Sequence, residues 1–400
     1  SDDFLLKINE IPEISNTDFI LDPICSGGLN EEVPLSSTMP GETNFTWERL
    51  YEGSSVTYFG STIPSEQLLN SCNTPVTVIY RVTPSTEFCT GSPVDFSIKV
   101  NPKPVIPDQT AVICSGEEFT ISLVNNCPTT IVPVNTTYEW VVTPNDNIEG
   151  ESNSDQVAPG ETDIRQVLTN GSDIVQYVTY TVTPTSGASG ACPGDTFDIV
   201  VQVDPEPIIQ DIVLEPICSG GGFTFDPSVI TTNIVPSGTV YEWSVSGSPG
   251  TPQGDSELPA DDAAAVIEQT NLEVGDSPVV LTYTVTPFAP RDSGGHCEGE
   301  SFDIVIQINP KPVIPDQIAV ICSGEEFNFS TNDGNSYYWN VPVSTPAGAI
   351  AGVSASSSPQ ANISQTLTLN PGFNSPSILT YQVTSVSPDG CESEPFNIVV

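Results

Sequence analysis

The residues of this sequence that could form covalent cross-links recur at regular intervals along the chain. The tetrapeptide Ile-Cys-Ser-Gly occurs four times, and a second cysteine follows each copy after 64 to 79 residues. A zinc site needs four close Cys or His ligands, and each repeat supplies only two cysteines. The even total of ten cysteines indicates disulfides and an oxidising compartment instead.

The position of the cysteines relative to the predicted strands indicates how they pair. Cys114 lies just before the strand predicted at 119–123, and Cys192 lies just before the strand predicted at 197–203. If both strands start at the same end of the repeat, the two cysteines lie close together. One disulfide per repeat would then stabilise it by about 4 kcal/mol through loop closure. The predicted pairs are Cys25–Cys89, Cys114–Cys192, Cys218–Cys297 and Cys322–Cys391.

Two further cysteines, Cys72 and Cys127, fall outside this pattern. The same counting of strands places them at corresponding ends of adjacent repeats, about one repeat length apart in a straight array. They are either free thiols or a pair formed by folding the first two repeats back on each other, and the sequence leaves both alternatives open.

Acidic residues cluster near the predicted turns and repeat ends, where they could bind calcium. Calcium takes six to eight oxygen ligands, but no Asp-x-Asp-x-Asp-Gly loop is present. We therefore expect a solvated anionic surface and no cofactor, with calcium as the weaker alternative. The candidate ligands are Asp108, Glu117, Glu118, Asp316, Glu325 and Glu326, together with the pair Asp261 and Asp262.

A hydrolytic site would need a nucleophile with a base, or a pair of carboxylates with separate roles. The chain has one histidine, His296, in a Gly-rich segment that is predicted to be a hairpin tip. We interpret His296 as a solvated loop residue and expect no catalytic site.

Charge and hydropathy exclude other classes of partner. The chain carries 51 acidic and 8 basic residues, for a net charge of −43. Such a surface repels nucleic acids and anionic lipids, and no apolar run is long enough to cross a membrane. We expect neither nucleic-acid binding nor membrane insertion.

Tryptophan and tyrosine mark the predicted core of each repeat. One Trp follows the cysteine of each Ile-Cys-Ser-Gly by 17 to 26 residues, and a Tyr-x-Val-Thr segment follows each Trp. In residues 178–183, apolar residues and threonines alternate with the period of two that is typical of a half-buried strand. Short strands separated by Gly, Pro and Asn turns indicate an all-β sandwich. The predicted core residues are Trp47, Trp140, Trp243, Trp339, Tyr80, Tyr180, Tyr283 and Tyr381.

The repeats predict the domain organisation. Residues 1–10 align with the last strand of a repeat, so we expect them to be the final strand of a preceding module. Proline-rich connectors such as residues 101–107 should be stiff, and four modules would then form an elongated rod on the order of 150 Å long. The predicted modules are 11–102, 103–205, 206–310 and 311–400.

The Ile-Cys-Ser-Gly turn, the Trp strand, Thr-Tyr-Thr-Val-Thr-Pro and Asn-Pro-Lys-Pro-Val-Ile together resemble a known repeat. The pattern resembles the PKD-like (Ig-like) module of large cell-surface proteins of Bacteroidota, including gliding-motility adhesins exported by type IX secretion. The resemblance covers essentially the whole chain. It implies Ig-like sandwiches at the cell surface, and it supplies no active-site residues.

We therefore expect a structural and adhesive segment of a large repetitive bacterial surface adhesin. Its partners would be further modules of the same chain, and an extracellular surface or polysaccharide bound through regions outside these 400 residues. The alternative is that the modules themselves bind polysaccharide, as accessory domains of a secreted multidomain enzyme.

Overall fold

The structure is a computed structural model that describes residues 7–51, 54–154, 163–187, 190–248 and 264–400. Regular secondary structure in these residues consists of strands and one short 3-10 helix, Pro227–Val229. The all-β prediction is therefore confirmed. Four hydrophobic cores follow one another along the sequence, and we refer to residues 11–102, 103–205, 206–310 and 311–400 as modules 1 to 4.

The chain forms two compact units, Ser1–Pro205 and Glu206–Val400. Modules 1 and 2 lie in the first unit, and modules 3 and 4 lie in the second. No helix in the described ranges has the length and apolar character that crossing a membrane requires.

The strands of the first unit are as follows. Module 1 contains β1 (Ile20–Cys25), β2 (Val33–Pro34), β3 (Asn44–Tyr51), β4 (Ser54–Phe59), β5 (Thr62–Ile63), β6 (Val76–Ser85) and β7 (Val94–Asn101). Module 2 contains β8 (Gln109–Cys114), β9 (Glu118–Ser122), β10 (Thr137–Thr143), β11 (Ile148–Glu149), β12 (Asp163–Val167), β13 (Thr169–Asn170), β14 (Gln176–Thr185) and β15 (Phe197–Asp204).

The strands of the second unit repeat this arrangement. Module 3 contains β16 (Ile212–Val213), β17 (Ile217–Cys218), β18 (Gly221–Phe225), β19 (Val240–Ser248), β20 (Ile267–Leu272), β21 (Val279–Pro290), β22 (His296–Glu298) and β23 (Phe302–Asn309). Module 4 contains β24 (Gln317–Ile318), β25 (Glu326–Phe329), β26 (Ser336–Trp339), β27 (Val343–Thr345), β28 (Ile350–Ala351), β29 (Ser356–Gln360), β30 (Ile363–Thr366), β31 (Thr368–Leu369), β32 (Ile378–Val386) and β33 (Phe396–Val399).

Each module has a main sheet with the same central pair of strands. In module 2 the order is β10-β14-β15-β8, and β9 pairs with β12 in a second, two-stranded sheet. The Trp strand, the Tyr strand and the last strand are antiparallel neighbours. The first strand instead runs parallel to the last strand, and this parallel pairing recurs in all four modules.

The alternation of side chains along these strands places the predicted aromatic residues in the cores. On β14, Val178, Tyr180 and Val182 are fully buried, whereas the threonines between them face outward or sit at the core edge. The four tryptophans are 3 to 7% exposed, and the four tyrosines of the Tyr strands are fully buried. All eight predicted core residues are therefore confirmed, because strand periodicity fixes which side of the sheet each residue faces.

A polar network satisfies the hydroxyl of the buried tyrosine. The Tyr180 hydroxyl donates to Gln166 Oε1 at 2.7 Å, and both Gln166 Nε2 and Trp140 Nε1 donate to the carbonyl of Ser152. Module 4 repeats the network with Tyr381, Gln365, Trp339 and Ser354. Burial raises the pKa of the Tyr180 hydroxyl above its ordinary value, so Tyr180 stays protonated and acts as a donor.

We predict that Tyr180→Phe lowers the free energy of unfolding of module 2 by about 1 kcal/mol, because the partly buried Oε1 of Gln166 would lose one of its two donors and keep only the Ser152 N–H. Urea unfolding measures the loss. Tyr177→Phe is the matched control on the same strand, since Tyr177 is 55% exposed. Equal stability of the two variants would contradict the proposed role of the network.

Candidate functional site

The Ile-Cys-Ser-Gly turn ends the first strand of each module beside the end of its last strand. Cys25 lies opposite Asn101 in the parallel pairing of β1 and β7, and the backbone N–H of Ser26 donates to the Asn101 carbonyl at 2.8 Å. In module 2, Cys114 lies opposite Asp204, and Ser115 N–H donates to its carbonyl at 2.9 Å. The turn therefore fixes its cysteine at the point where the chain leaves the module.

The Ser and the Gly of the turn each have a structural role. Ser115 Oγ accepts the backbone N–H of Asn170 at 3.0 Å, which ties the turn to the end of β13. Gly116 has a φ of 81°, in the left-handed region where a side chain is disfavoured. Its N–H donates to the Leu168 carbonyl at 2.8 Å. Equivalent bonds and φ values recur at the other three turns, so the tetrapeptide encodes one rigid corner.

The turn cysteines of modules 1 and 3 form disulfides with the following module. Cys25 of module 1 is bonded to Cys192 of module 2, with their Cα atoms 5.6 Å apart. Cys218 of module 3 is bonded to Cys391 of module 4, with a Cα separation of 5.5 Å. Cys114 and Cys297 are also disulfide-bonded, whereas Cys89 and Cys322 are free thiols. The predicted pairs Cys25–Cys89, Cys114–Cys192, Cys218–Cys297 and Cys322–Cys391 are therefore wrong.

The parallel pairing of the first and last strands explains the error. The prediction placed both cysteines of a repeat at the same end of the module. In the structure, Cys25 lies beside the end of β7, whereas Cys89 lies in the loop before β7 starts. The eight residues of β7 separate them by roughly 20 Å, beyond the reach of a disulfide. Cys192 lies in the loop before β15, at the end of module 2 where the chain enters from module 1. Cys25 and Cys192 therefore meet where the two modules join.

Cys72 and Cys127 form a second disulfide at the same joint, with their Cα atoms 5.2 Å apart. Cys72 lies in the loop before β6, whose first residue, Val76, pairs with Val100 near the end of β7. In module 2, Ile131 pairs with Val105 of the linker and holds the Cys127 loop next to module 1. The predicted separation of one module length is wrong, because the two loops lie at facing ends of the modules.

Noncovalent contacts support the joint between modules 1 and 2. Lys103 Nζ lies 2.8 Å from Asp195 Oδ1, but Asp195 is 91% exposed, so this ion pair contributes little. Gly194 approaches the linker so closely that an added Cβ would lie 2.8 Å from the carbonyl oxygen of Pro104. Only glycine fits at this position without displacing the linker.

The structure gives each calcium candidate within the described residues a local hydrogen-bonding role. Asp108 Oδ1 accepts the backbone N–H of Asp198 at 2.9 Å, and Glu117 Oε2 accepts that of Cys114 at 2.8 Å. Asp108 and Glu117 lie at opposite ends of β8, so they cannot share one ion. Asp316 and Glu325 of module 4 make the corresponding bonds to Asn397 and Cys322.

Glu118 and Glu326 also make local hydrogen bonds. Glu118 accepts from Thr120 at 3.4 Å, and Glu326 accepts from the Ser364 hydroxyl. Asp261 and Asp262 lie outside the described residues. In the described ranges, no three His, Cys, Asp or Glu side chains are close enough together to hold a metal ion.

His296 is exposed at the start of β22, where its ring lies edge-on to Phe288 with 6.3 Å between ring centroids. His296 lies opposite Pro290 in the antiparallel pairing of β21 and β22, which accounts for its position on the hairpin. The candidate functional site is therefore the inter-module joint. It consists of the turn cysteine of one module and the cysteine and glycine of the entrance loop of the next.

We predict that non-reducing digestion and mass spectrometry recover a peptide linking Cys25 to Cys192. Cys192→Ser should free Cys25 for alkylation and lower the free energy of unfolding by about 2–4 kcal/mol, because the disulfide closes a sequence separation of 167 residues. Cys322→Ser is the control, since Cys322 is a free thiol. A linked Cys25–Cys89 peptide would contradict the joint.

We also predict that removing calcium with a chelator leaves the melting temperature unchanged. The candidate carboxylates of the described residues already accept protein hydrogen bonds and are not clustered, so we expect folding not to depend on an ion there. Calorimetry with EDTA and with added calcium measures the difference. A rise of several degrees on adding calcium, with no equal rise on adding sodium chloride of matched ionic strength, would restore the calcium hypothesis.

One family model matches three consecutive copies of the repeat. The PKD-like domain family matches residues 22–104, 111–207 and 215–312. No curated protein matches the chain in sequence. Similar solved structures include the I-band fragment I67-I69 of titin, at 11% identity, covering 75% of this chain and 99% of that chain with a TM-score of 0.32.

Two further structures are similar at the same level. Mouse cadherin-23 EC22-24 is 12% identical, covering 76% of this chain and all of that chain, with a TM-score of 0.29. The Bacteroides ovatus glucan-utilisation protein SGBP-B, solved with a mixed-linkage heptasaccharide, is 11% identical, covering 90% of this chain and 93% of that chain, with a TM-score of 0.20. Since the family match spans more than half of the sequence, the chain belongs to the PKD-like domain family.

Proposed function

We propose that this chain is a tension-bearing structural segment of a repetitive bacterial cell-surface adhesin. The observation that carries the proposal is the disulfide that joins the exit end of one module to the entrance loop of the next. Disulfides persist in oxidising compartments, which supports a location outside the cytoplasm.

The inter-module disulfides change which residues carry force when the chain is pulled from its ends. Tension that reaches Cys25 passes through the disulfide to Cys192, and tension that reaches Cys218 passes to Cys391. The residues between the members of each pair, separated by 167 and 173 positions, lie outside this covalent path. Unfolding within a bypassed region therefore cannot lengthen the chain while the disulfide remains intact.

Once the disulfides are reduced, tension passes along the backbone, and the parallel pairing then resists unfolding within a module. In module 2 the chain enters at the start of β8 and leaves at the end of β15, and six consecutive residue pairs join these strands. Opposing pulls on the two ends load the rungs of this ladder together in shear. Antiparallel terminal strands would instead open one rung at a time.

The surface charge suits an exposed structural segment. The chain has 8 basic residues against 51 acidic ones, and several of the basic residues are engaged in ion pairs, such as Arg81 with Asp95 at 2.8 Å. The Arg81 guanidinium hydrogen-bonds the Asp95 carboxylate and lowers its pKa below the ordinary value. The excess negative charge keeps an array of sandwiches soluble and separate from its neighbours.

The parent protein that we propose is a Bacteroidota adhesin of the gliding-motility type, exported by type IX secretion and held at the outer membrane. The support for this finer assignment is the resemblance of the Ile-Cys-Ser-Gly, Trp and Tyr-x-Val-Thr pattern. Adhesion itself would belong to regions outside these 400 residues, which bind an extracellular surface or polysaccharide.

Single-molecule force spectroscopy of the full chain tests the proposed function. We predict that the oxidised chain shows no module-unfolding steps. After reduction, each module should lengthen the chain by roughly 250–300 Å, the extended length of about 90 residues less the folded module. Full-length steps in the oxidised chain would contradict the proposal.

Two controls accompany this measurement. Cys322→Ser should behave as the unmodified chain, because Cys322 forms no disulfide. The oxidised chain should also bind no polysaccharide on an array, since a structural segment needs no ligand. Specific polysaccharide binding by the intact chain would favour the alternative of carbohydrate-binding modules.

A further inference from the structure

Two cysteines in the described part of the chain are free, and each belongs to a position that is bonded in other modules. Cys89 in module 1 is partly exposed and corresponds to Cys192 and Cys391. Cys322 in module 4 is exposed and corresponds to Cys25 and Cys218. Cys89 therefore occupies the entrance-loop position of an inter-module joint, and Cys322 occupies the turn position.

The loop that carries Cys89 has the geometry of a bonded loop. The Cys89 N–H donates to Thr86 Oγ1 at 3.1 Å, as the Cys391 N–H donates to Ser387 Oγ at 3.1 Å. The carbonyl of Cys89 accepts the Thr86 N–H at 2.8 Å, and that of Cys391 accepts the Ser387 N–H at 2.9 Å. Cys89 is thus held as its bonded equivalent is held.

Cys89 lies beside Asn9, which corresponds to the asparagine beside the bonded Cys391. Cys89 Sγ lies 3.8 Å from the carbonyl oxygen of Asn9, and Cys391 Sγ lies 3.9 Å from that of Asn309. Asn309 lies opposite Cys218, the disulfide partner of Cys391, in the pairing of β17 and β23. Asn9 therefore takes the place of the residue beside which the partner cysteine lies.

The backbone beside Cys89 is also arranged as in the bonded joint. A Cβ added to Gly91 would lie 2.0 Å from the Pro12 carbonyl oxygen, and one added to Gly194 would lie 2.8 Å from that of Pro104. The connector before module 1 is thus seated against this loop as the linker before module 2 is seated against the Cys192 loop.

We propose that Cys89 is the acceptor half of an inter-module joint and forms a disulfide with the Ile-Cys-Ser-Gly cysteine of another PKD-like module. Cys322 is the matching donor half. Its turn is intact, because its N–H donates to Glu325 Oε2 at 2.8 Å, as the Cys114 N–H donates to Glu117. This inference rests on the joint and is independent of the proposed adhesive role.

The reaction is a two-electron thiol oxidation. The two cysteine thiols lose two protons and two electrons as the S–S bond forms. A small-molecule disulfide such as oxidised glutathione accepts both and is cleaved to two thiols.

An extended chain provides the direct test. A second copy of residues 206–309 replaces residues 1–9, which places the Ile-Cys-Ser-Gly turn of that copy ahead of module 1. The Cys297 of the added copy is changed to Ser to prevent mispairing. After oxidation with glutathione, peptide mapping should link Cys89 to the added turn cysteine in most molecules. The matched control carries Ser at that turn cysteine and should leave Cys89 open to alkylation. A reactive Cys89 in the extended chain, or a bond from Cys89 to any other cysteine, would overturn the proposal.

A second experiment decides the matter if the added copy does not fold cooperatively. Full-length Cys89→Ser and Cys322→Ser variants are oxidised separately and as a mixture at high concentration. Only the mixture should give a covalent dimer, linked from Cys322 of one copy to Cys89 of the other. Absence of this dimer, or equal dimer formation by either variant alone, would overturn the proposal.

Discussion

The parallel pairing between the first and last strands of each module determines where everything else in the joint can lie. Because the two strands run in the same direction, the Ile-Cys-Ser-Gly turn ends up at the exit of its module. Backbone hydrogen bonds from the turn to Asn101 or Asp204 hold the cysteine there. An antiparallel first strand would have placed the same cysteine at the entrance, next to Cys89 or its equivalents.

The covalent architecture follows from this direction. A cysteine at the exit of one module and a cysteine in the entrance loop of the next are adjacent, so Cys25 bonds to Cys192 and Cys218 bonds to Cys391. Glycine in the entrance loop lets the linker pass within contact distance of that loop. The disulfides therefore connect modules instead of closing them, and tension is diverted around most of each module.

The interior of each module depends on a different and more local constraint. Alternation along β14 buries Val178, Tyr180 and Val182, and the buried hydroxyl of Tyr180 requires the acceptor that Gln166 supplies. The same requirement is met by Gln365 in module 4, and in module 1 by Glu66, which accepts from Tyr80 at 2.7 Å. In modules 1, 2 and 4 the Tyr strand can thus bury its tyrosine, because the hydroxyl has a side-chain acceptor.

The sequence by itself determined the all-β class, the four cores and the identity of the buried aromatic residues. These properties depend on the period-two alternation of apolar and polar residues along each strand, which can be read from the sequence alone. It also showed that the cysteines form a disulfide framework, because their spacing repeats.

Only the tertiary structure decided which cysteines pair. Two strands separated by about 80 residues can be parallel or antiparallel with the same alternation, and the choice moves Cys25 from one end of the module to the other. The pairing of Cys72 with Cys127 likewise depends on which loop ends face each other across the joint. Local sequence specifies the faces of strands, but long-range strand direction specifies their ends, and the chemistry of this chain lies at those ends.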